Sequence, residues 1–501
     1  MTRVEGSTAK PATPKSSLSD HATAGLAWSS VGYLTQGVGQ ILVVAVLARY
    51  VTAGDFGVVS ATLLVIGIGK LFTQSIVGPA LVQRAMLEPR HHSTAFWLAL
   101  ASGLSMTVAT AALAPLAARF FTFDNLSNVL LALSLTFVFQ APSVVSEALL
   151  QRQMRFRQLA IADSISFVLG YCVLGVALAL AGWGVWSLVA ASLAQALIDS
   201  VLLIWFHRPT TRAGYDKGAA KDILHFGTGF TAGKVFNYAA GQGDYFVIGR
   251  WMSSTELGLY SRAYQFVAMP AMLLGQVLDR VLFPLMASFQ HDRPRLAQTY
   301  RRGVALIVIC MAPLSAIIVV IAPEIVRVLL GSRWDAVTGP FRILAFGLVG
   351  RTGYKISDSL ARSTGMVYKR AWRQAIYAAL VVGGSLIGRR WGIEGVAWGV
   401  LFAIVSNYFA MAALSIATTG LSWSAFLAAH ARGFAFGSAA GALSFAAAAS
   451  LRSLQYPAFV VAAGALLFSV GTIGMAAKRF PEQILGVDAL WMIKRVTRKA
   501  K

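Results

Sequence analysis

Apolar runs of roughly 20 residues recur along the whole sequence, and each is long enough to cross a membrane as a helix. Of the 501 residues, 57% are hydrophobic and only 13% are charged, about half the charged fraction of an average soluble protein. The runs do not alternate polar with apolar residues, as the strands of a membrane β-barrel would. The sequence therefore predicts an all-α, polytopic membrane protein with about 14 transmembrane helices. These predicted helices span residues 24–48, 56–82, 93–118, 127–150, 158–181, 184–206, 223–249, 257–286, 303–322, 338–360, 371–388, 392–417, 429–450 and 457–477.

One stretch of the sequence occurs twice, at an offset of 201 residues. The copies are residues 49–60 and 250–261, and their basic, aromatic, acidic, glycine and serine positions coincide. Self-similarity of this kind in an apolar chain predicts two membrane lobes built on one plan. Each lobe has six predicted helices, an even number, so a pseudo-two-fold axis along the membrane normal should relate the lobes. Two extra C-terminal helices follow the repeat.

These features divide the chain into six predicted parts. The N-terminal residues are polar and rich in Ser, Thr and Pro, which is typical of disorder. The last residues mix apolar side chains with Lys and Arg, and could form an interfacial helix on anionic lipid. The parts are a disordered cytoplasmic tail (1–22), an N-lobe (23–206), a cytoplasmic linker (207–222), a C-lobe (223–417), the two extra helices (418–477) and a basic cytoplasmic tail (478–501).

The formal net charge of +23 does not indicate nucleic-acid binding, because Lys and Arg mostly lie in the short connections between apolar runs. The positive-inside rule accounts for this distribution and places both termini in the cytoplasm. Cys172 and Cys310 fall inside apolar runs, so the sequence predicts neither a disulfide nor a metal site. No P-loop, HExxH or GxSxG motif occurs, and we expect no enzymatic activity and no cofactor.

Charged residues inside the predicted helices are candidates for function, because a charge at mid-membrane costs a few kcal/mol or more. The tenth predicted helix carries Arg351, Lys355, Asp358 and Arg362 at a spacing that places them on one face. The first lobe repeats this polar face with Gln140, Glu147 and Gln151. An alternative for Asp358 and Arg362 is that they lie at the cytoplasmic end and snorkel to the interface.

The seventh predicted helix has a second polar stripe, which contains Lys234, Asn237 and Tyr238. Gln36 matches Asn237 across the repeat, and Lys70 is an intramembrane cation of the second helix. An alternative role for Lys234 is a salt bridge that packs helices, and Lys70 could reach an interface. The full set of predicted substrate-binding residues is Lys70, Lys234, Asn237, Tyr238, Gln36, Arg351, Lys355 and Asp358.

Three acids inside the predicted helices, Asp163, Asp199 and Asp244, could carry a coupling ion, either a proton or sodium. For Asp244, a structural partner such as Arg250 is an equal alternative. Arg262 lies near an outer helix end, where snorkelling to the interface is expected.

Several stretches of the chain resemble the Wzx-type polysaccharide transporters, and in particular their colanic-acid flippase branch. That family belongs to a superfamily that also contains multidrug antiporters and the lipid II flippase. The resemblance extends from about Ala24 to Thr419. The stretches that carry it are Leu149–Arg157, Gly182–Trp186, Gly243–Arg250, Leu257–Tyr264, Phe283–Pro284 and Leu330–Trp334.

The resemblance implies a bacterial inner-membrane flippase that moves an undecaprenyl-pyrophosphate-linked oligosaccharide to the periplasmic leaflet by alternating access. It also implies a central cationic cavity and a groove near the last two helices for the lipid tail. Lys70, Lys234, Arg351 and Lys355 would then offset the pyrophosphate charge. Sugar hydroxyls would be hydrogen-bonded by Gln36, Asn237 and Tyr238.

Two other functions stay open from the sequence. One is a multidrug antiporter of the same superfamily, although small cationic drugs would favour acids over cations in the cavity. The other is a polytopic polysaccharide polymerase or ligase, which would need catalytic residues on the periplasmic face. Besides the substrate, the expected partners are membrane lipids and the polysaccharide polymerase machinery.

Overall fold

The computed structural model describes residues 37, 39–84, 86–209, 214–479 and 481. Its description leaves out the side chains of residues 75, 225–233, 235–237, 239–240, 276–277, 280–281 and 477. Gln36, the side chain of Asn237, the tail 1–22 and most of the tail 478–501 therefore lie outside the described residues. The described chain forms helices and no strand, which confirms the all-α prediction.

The N-lobe consists of helices α1 to α8. A 3₁₀ turn, Ala141–Ser143, joins α4 to α5, and a π-helix, Val168–Gly175, joins α6 to α7. The helices are α1 (39–47), α2 (Ala53–Gln83), α3 (Pro89–Phe121), α4 (Leu126–Gln140), α5 (Val144–Arg152), α6 (Phe156–Phe167), α7 (Val176–Leu180) and α8 (Val185–Phe206).

The C-lobe consists of α9 to α15, and two further helices follow it. Its first helix begins at Lys217, within the predicted linker, because Asp216 caps it by accepting a hydrogen bond from the Ala219 N–H at 2.7 Å. The helices are α9 (Lys217–Trp251), α10 (Ser254–Ala287), α11 (Arg293–Leu329), α12 (Thr338–Phe346), α13 (Leu348–Ser363), α14 (Val367–Gly388), α15 (Gly392–Thr419), α16 (Trp423–Ser453) and α17 (Ala458–Arg479).

Among the described residues, nine helical ranges are long and apolar enough to cross a membrane, and one of them joins α14 and α15. Helices α9 and α10 and the pair α12–α13 are not among these ranges. Helix α9 carries Lys234, and α13 carries Arg351 and Lys355. Helices α12 and α13 have 9 and 16 residues, so each is too short to count as a span by itself. The count of fourteen spans stays a prediction, whereas the polytopic membrane architecture is confirmed.

The repeated stretch forms the N-terminal caps of α2 and α10. Thr52 Oγ1 accepts a hydrogen bond from the Asp55 N–H at 3.1 Å, and the Asp55 carboxylate accepts one from the Thr52 N–H at 3.2 Å. Ser253 and Glu256 form the same reciprocal pair, at 3.2 and 2.9 Å. Each copy is therefore a capping box that fixes where its helix begins.

The two copies also contact each other across the lobes. A Cβ added to Gly57 would lie closer than 3.0 Å to the Ser254 carbonyl oxygen, and one added to Gly258 equally close to the Ala53 carbonyl oxygen. One turn further on, the Ser60 hydroxyl donates to the Ser261 hydroxyl at 3.2 Å, and both residues are buried. The symmetric positions face each other, so the pseudo-two-fold axis passes through this contact. We call this end of the molecule the repeat end.

Helix α16 packs mainly on α11, and α17 packs on both. The Arg452 guanidinium of α16 binds the Glu324 carboxylate of α11 through hydrogen bonds of 2.9 and 2.8 Å. The two extra helices are therefore attached to the C-lobe.

Candidate functional site

A cavity of about 430 Å³ lies between the lobes and reaches the Ser60–Ser261 contact. Arg262 is the one charged residue in its described lining. Neutral hydrogen-bonding side chains dominate the rest of the polar lining, which suits a ligand with many hydroxyl groups. We call it the inter-lobe cleft, and its amide and phenol side chains are Gln40, Gln195, Gln242, Gln265, Tyr171, Tyr238, Tyr245 and Tyr264.

Arg262 points into the cleft, so the prediction that it snorkels is wrong. Its guanidinium carbon lies 4.7 Å from the centroid of the Phe56 ring of the other lobe, and its Nε donates to the Ser261 hydroxyl at 3.4 Å. This position next to the lobe contact holds the side chain inward. The sequence does relate Arg262 to the lobe contact, because Arg262 immediately follows the second copy of the repeat. Its counterpart after the first copy is Ala61.

The π-helix and the residue before it place two aromatic side chains at the cleft. Its turn is wider than that of an α-helix, and Gly170 allows it to approach the Ala191 carbonyl oxygen of α8 closely. The Tyr171 hydroxyl is hydrogen-bonded to the Ser192 hydroxyl at 2.6 Å. The Phe167 and Tyr171 rings are stacked, with centroids 5.7 Å apart. Both rings line the cleft, and the sequence reading missed them because the π-helix has no signature in this apolar run.

Tyr238 lies in the cleft lining, but its hydroxyl donates to the Leu64 carbonyl oxygen of α2 at 3.0 Å. It therefore joins α9 to the N-lobe as well as facing the cavity. Gln40, a polar residue of the first predicted helix, lies in the lining of the cleft.

Lys70 and Lys234 line one cavity, of about 520 Å³, between α2, α5 and α9. Its other polar residues include Gln74, which donates to Gln140 at 3.3 Å. Gln151 donates to the Glu147 carboxylate at 2.9 Å. We call this space the lysine cavity. Helix α2 also lines the inter-lobe cleft, and its nearest lining residues in the two spaces are Leu64 and Lys70. Because an α-helix rises 1.5 Å per residue, these two residues are separated by about 9 Å along α2.

Arg351 and Lys355 line a different cavity, of about 240 Å³, among helices of the C-lobe. The Arg351 guanidinium carbon lies 4.0 Å from the centroid of the Tyr264 ring, and Lys355 Nζ donates to the Ala271 carbonyl oxygen at 3.1 Å. Tyr264 lines both this cavity and the inter-lobe cleft. The described cavities thus divide the four predicted cations into two pairs.

The carboxylate of Asp358 is engaged in ion pairs with two arginines. It accepts from Arg362 Nε at 3.0 Å and also pairs with Arg370 of α14. Arg362 is shared with Asp279 of α10, so the network joins three helices of the C-lobe.

The three acids proposed for ion coupling occupy two places. Asp244 is 1% exposed and accepts a hydrogen bond from the Tyr260 hydroxyl at 2.8 Å, while Arg250 lies against the Phe120 ring. Asp163 and Asp199 lie in the N-lobe, where Asp199 is in electrostatic reach of both Asp163 and Lys70. No group of three or more His, Cys, Asp or Glu that could hold a metal ion was found within the described ranges.

The sequence from residue 46 to residue 339, more than half of the chain, matches the polysaccharide biosynthesis protein family. The chain belongs to this family. It is 24% identical over 411 residues to the lipopolysaccharide biosynthesis protein WzxC of Escherichia coli (strain K12), covering 79% of this chain and 82% of that protein. It is 28% identical to the succinoglycan biosynthesis transport protein ExoT of Rhizobium meliloti (strain 1021), covering 59% and 60%. The resemblance to polysaccharide transporters is confirmed.

Solved structures show the fold of this polysaccharide biosynthesis protein. The lipid II flippase MurJ in an inward closed conformation superposes with a TM-score of 0.72, at 12% identity, over 91% of this chain and 99% of that one. A mutant of the Vibrio cholerae MATE transporter VcmN superposes with a TM-score of 0.53, at 12% identity, over 82% of this chain and 99% of that one. Both likenesses establish a shared fold.

Two stretches that carry the resemblance have structural roles. Within Leu149–Arg157, the Arg152 guanidinium donates to the Leu81 and Val82 carbonyl oxygens at 3.1 and 3.3 Å, which caps the C-terminal end of α2. Within Leu330–Trp334, the Trp334 indole N–H donates to the Ala48 carbonyl oxygen at 3.0 Å. A C-lobe segment therefore caps the end of α1 in the N-lobe, and it joins the lobes at the repeat end.

An apolar groove of about 510 Å³ lies between α16 and α17 of this family member. Its walls are mainly alanine and larger apolar side chains, and Arg432 is the one charged residue of the described lining. Small residues leave room for a ligand that is thin and apolar. The lining residues are Arg432, Ala435, Phe436, Ala439, Leu443, Thr472, Ile473 and Ala476.

Proposed function

We propose that this protein is a flippase that carries an undecaprenyl-pyrophosphate-linked oligosaccharide across the bacterial inner membrane. It would move this lipid from the cytoplasmic to the periplasmic leaflet for the synthesis of exopolysaccharide, O-antigen or capsule. The observation that carries the proposal is the amide- and phenol-lined cleft between two lobes, whose one described charged residue is Arg262, with a two-lysine cavity further along α2. Relatives named as polysaccharide biosynthesis and transport proteins support it.

Each described space suits one part of such a substrate. Amide and phenol groups of the inter-lobe cleft hydrogen-bond sugar hydroxyls. Lys70 and Lys234 offset the charge of the pyrophosphate, and the groove between α16 and α17 takes up part of the polyprenyl tail. The substrate thus enters with its sugars toward the repeat end.

Transport proceeds by alternating access of the two lobes. We place both termini in the cytoplasm, which makes the repeat end periplasmic and the described state closed toward the periplasm. Release of the glycan then requires α2 and α10 to separate at Gly57 and Gly258. Outward movement of two negative charges gains about 4–5 kcal/mol at about 100 mV, and a proton or sodium ion at Asp163, Asp199 or Asp244 can return the empty carrier.

The alternative of a multidrug antiporter is less well supported. A cavity for cationic drugs needs carboxylates, whereas the described charged residue of the inter-lobe cleft is Arg262. For a polymerase or ligase, the described connections between helices offer little room, since the segment between α11 and α12 is residues 330–337.

Deletion of the gene tests the proposed function. We expect the deletion strain to accumulate lipid-linked oligosaccharide on the cytoplasmic leaflet and to lose surface polysaccharide, with both restored by the wild-type gene. Accumulation of unpolymerised oligosaccharide on the periplasmic leaflet would instead identify a polymerase, and unchanged polysaccharide with altered drug resistance would identify an antiporter.

Neutralising the lysine cavity should block export. The double variant Lys70→Gln/Lys234→Gln removes two charge-assisted contacts to the pyrophosphate, each worth about 1.5–3 kcal/mol, so we expect export to fall by at least about tenfold. Surface polysaccharide is measured relative to the amount of protein in the membrane.

Two controls accompany this variant. Lys70→Arg/Lys234→Arg keeps both charges and should keep most of the export, and Lys217→Gln neutralises an exposed lysine at the start of α9 without effect. Wild-type export by the double glutamine variant would exclude the lysine cavity as the pyrophosphate site.

A further inference from the structure

The C-lobe cavity that Arg351 and Lys355 line has features that the proposed substrate path does not explain. We call it the C-lobe chamber. Its walls come from α9, α10, α13, α14 and α15, so it lies among helices of one lobe, apart from the lysine cavity. The polar and aromatic lining residues used below are Tyr264, Arg351, Lys355, Gln374, Tyr377 and Asn407.

Three buried polar atoms of the chamber lining have no hydrogen-bond partner among the described residues. They are Arg351 Nη1, Gln374 Nε2 and Asn407 Oδ1. Asn407 is only 4% exposed. Most buried polar groups in folded proteins are paired, so three such atoms around one cavity are typical of a binding site. Two of the atoms are donors, and turning the Asn407 amide over would supply a third.

The charges around the chamber do not balance. Arg351, Lys355, Arg362 and Arg370 supply four positive charges, whereas Asp244, Asp279 and Asp358 supply three negative ones. Asp279 and Asp358 form ion pairs with Arg362 and Arg370, and all four residues line a neighbouring cavity together with Lys355. Among the described side chains of this cluster, one positive charge is therefore in excess.

We propose that the C-lobe chamber binds a monovalent anion, held by Arg351, Gln374 and Asn407. An anion with a single negative charge neutralises the excess positive charge and accepts hydrogen bonds from the unpartnered donors. Water alone would accept those hydrogen bonds but would leave the positive charge without a counter-charge. The anion is either free and inorganic, such as chloride, or the carboxylate of an acidic sugar. In the second case the site is part of the proposed flippase and determines which glycans it accepts.

Tyr264 provides the route into the chamber. Its side chain lines both the chamber and the inter-lobe cleft, and the Arg351 guanidinium lies over its ring. Rotation of this one side chain would connect the two spaces. A ligand in the cleft, or a free anion entering through it, can therefore reach Arg351.

Titration calorimetry on the purified full-length protein tests the site, with chloride, glucuronate and glucose as separate probes at constant ionic strength. We expect saturable binding of chloride or of glucuronate, and none of glucose. Chloride binding identifies a free anion as the ligand, and binding of glucuronate alone identifies a sugar carboxylate. No saturable binding of either anion, or equal binding of glucose, overturns the proposal.

Variants show whether binding occurs in the chamber. Arg351→Gln should weaken binding by at least tenfold, and Gln374→Ala and Asn407→Ala should each weaken it several-fold. Arg342→Gln is the matched control, because it removes a partly buried arginine of α12 that donates to the Val319 carbonyl oxygen and does not line the chamber. Unchanged affinity in the three chamber variants contradicts the assignment.

The calorimetric measurement of anion binding does not require the protein to transport its substrate. If Arg351→Gln fails to fold, the two alanine variants retain the test, since they keep every charge. Anion binding with failed flipping would reject the proposed function alone, and flipping without anion binding would reject the chamber site alone.

Discussion

Gly57→Ala and Gly258→Ala should each reduce export of polysaccharide by at least about tenfold. The added Cβ would overlap a carbonyl oxygen of the opposite lobe, Ser254 O or Ala53 O, and backbone atoms of a capped helix start cannot move away cheaply. The lobes would be held apart at the repeat end, and the closed state would become rare. Surface polysaccharide and the periplasmic accessibility of a cysteine at position 60 measure the two consequences.

Gly383→Ala in α14 is the control. A Cβ at Gly383 meets nothing within 4 Å, so this variant should export normally and leave the accessibility at position 60 unchanged. If the Gly57 and Gly258 variants behave like the Gly383 variant, the contact of the two copies is not needed for the closed state.

Asp358→Asn should destabilise the protein by about 2–4 kcal/mol. The side chain of Asp358 is 14% exposed and is shared by two arginines, so its neutralisation leaves Arg370 and part of Arg362 without a counter-charge. Arg362 keeps its ion pair with Asp279, so the loss of stability is smaller than if both arginines lost every counter-charge. The thermal unfolding midpoint of the purified protein measures the effect.

Asp335→Asn removes an ion pair of a different kind and serves as the comparison. The Asp335 side chain is 44% exposed, and its partner Arg327 lies at 2.9 Å on the surface. Exposed pairs contribute about 1 kcal/mol or less, so the midpoint should change little. Equal midpoint losses in the two variants would show that Asp358 is not held in a buried network.

The sequence was sufficient for the features that are local or repeated. The offset of 201 residues predicted two like lobes, and the structure shows that its copies are capping boxes that contact each other. Most predicted helices match observed ones closely, because apolar runs of this length leave few alternatives.

The arrangement of the site was only partly predictable. Helical spacing correctly placed Arg351 and Lys355 on one face, but their rotation toward the C-lobe chamber depends on how neighbouring helices pack. The same holds for Asp358, whose partner Arg370 comes from the next helix, and for Arg262, which the opposite lobe's Phe56 holds inward. Contacts between distant segments carry no signal in a single sequence.

In the proposed transport cycle, separation of the lobes at the repeat end is the step on which flipping depends. Ser60 and Ser261 are hydrogen-bonded across that contact, so cysteines at both positions should form a disulfide in the closed state. The native Cys172 and Cys310 are first replaced by serine to remove other thiols. The Ser60→Cys/Ser261→Cys protein is then reconstituted in vesicles with lipid-linked oligosaccharide extracted from the deletion strain, and transfer between leaflets is measured before and after reduction. We predict no transfer while the disulfide is intact and full transfer once it is reduced; equal transfer in both states would contradict the account.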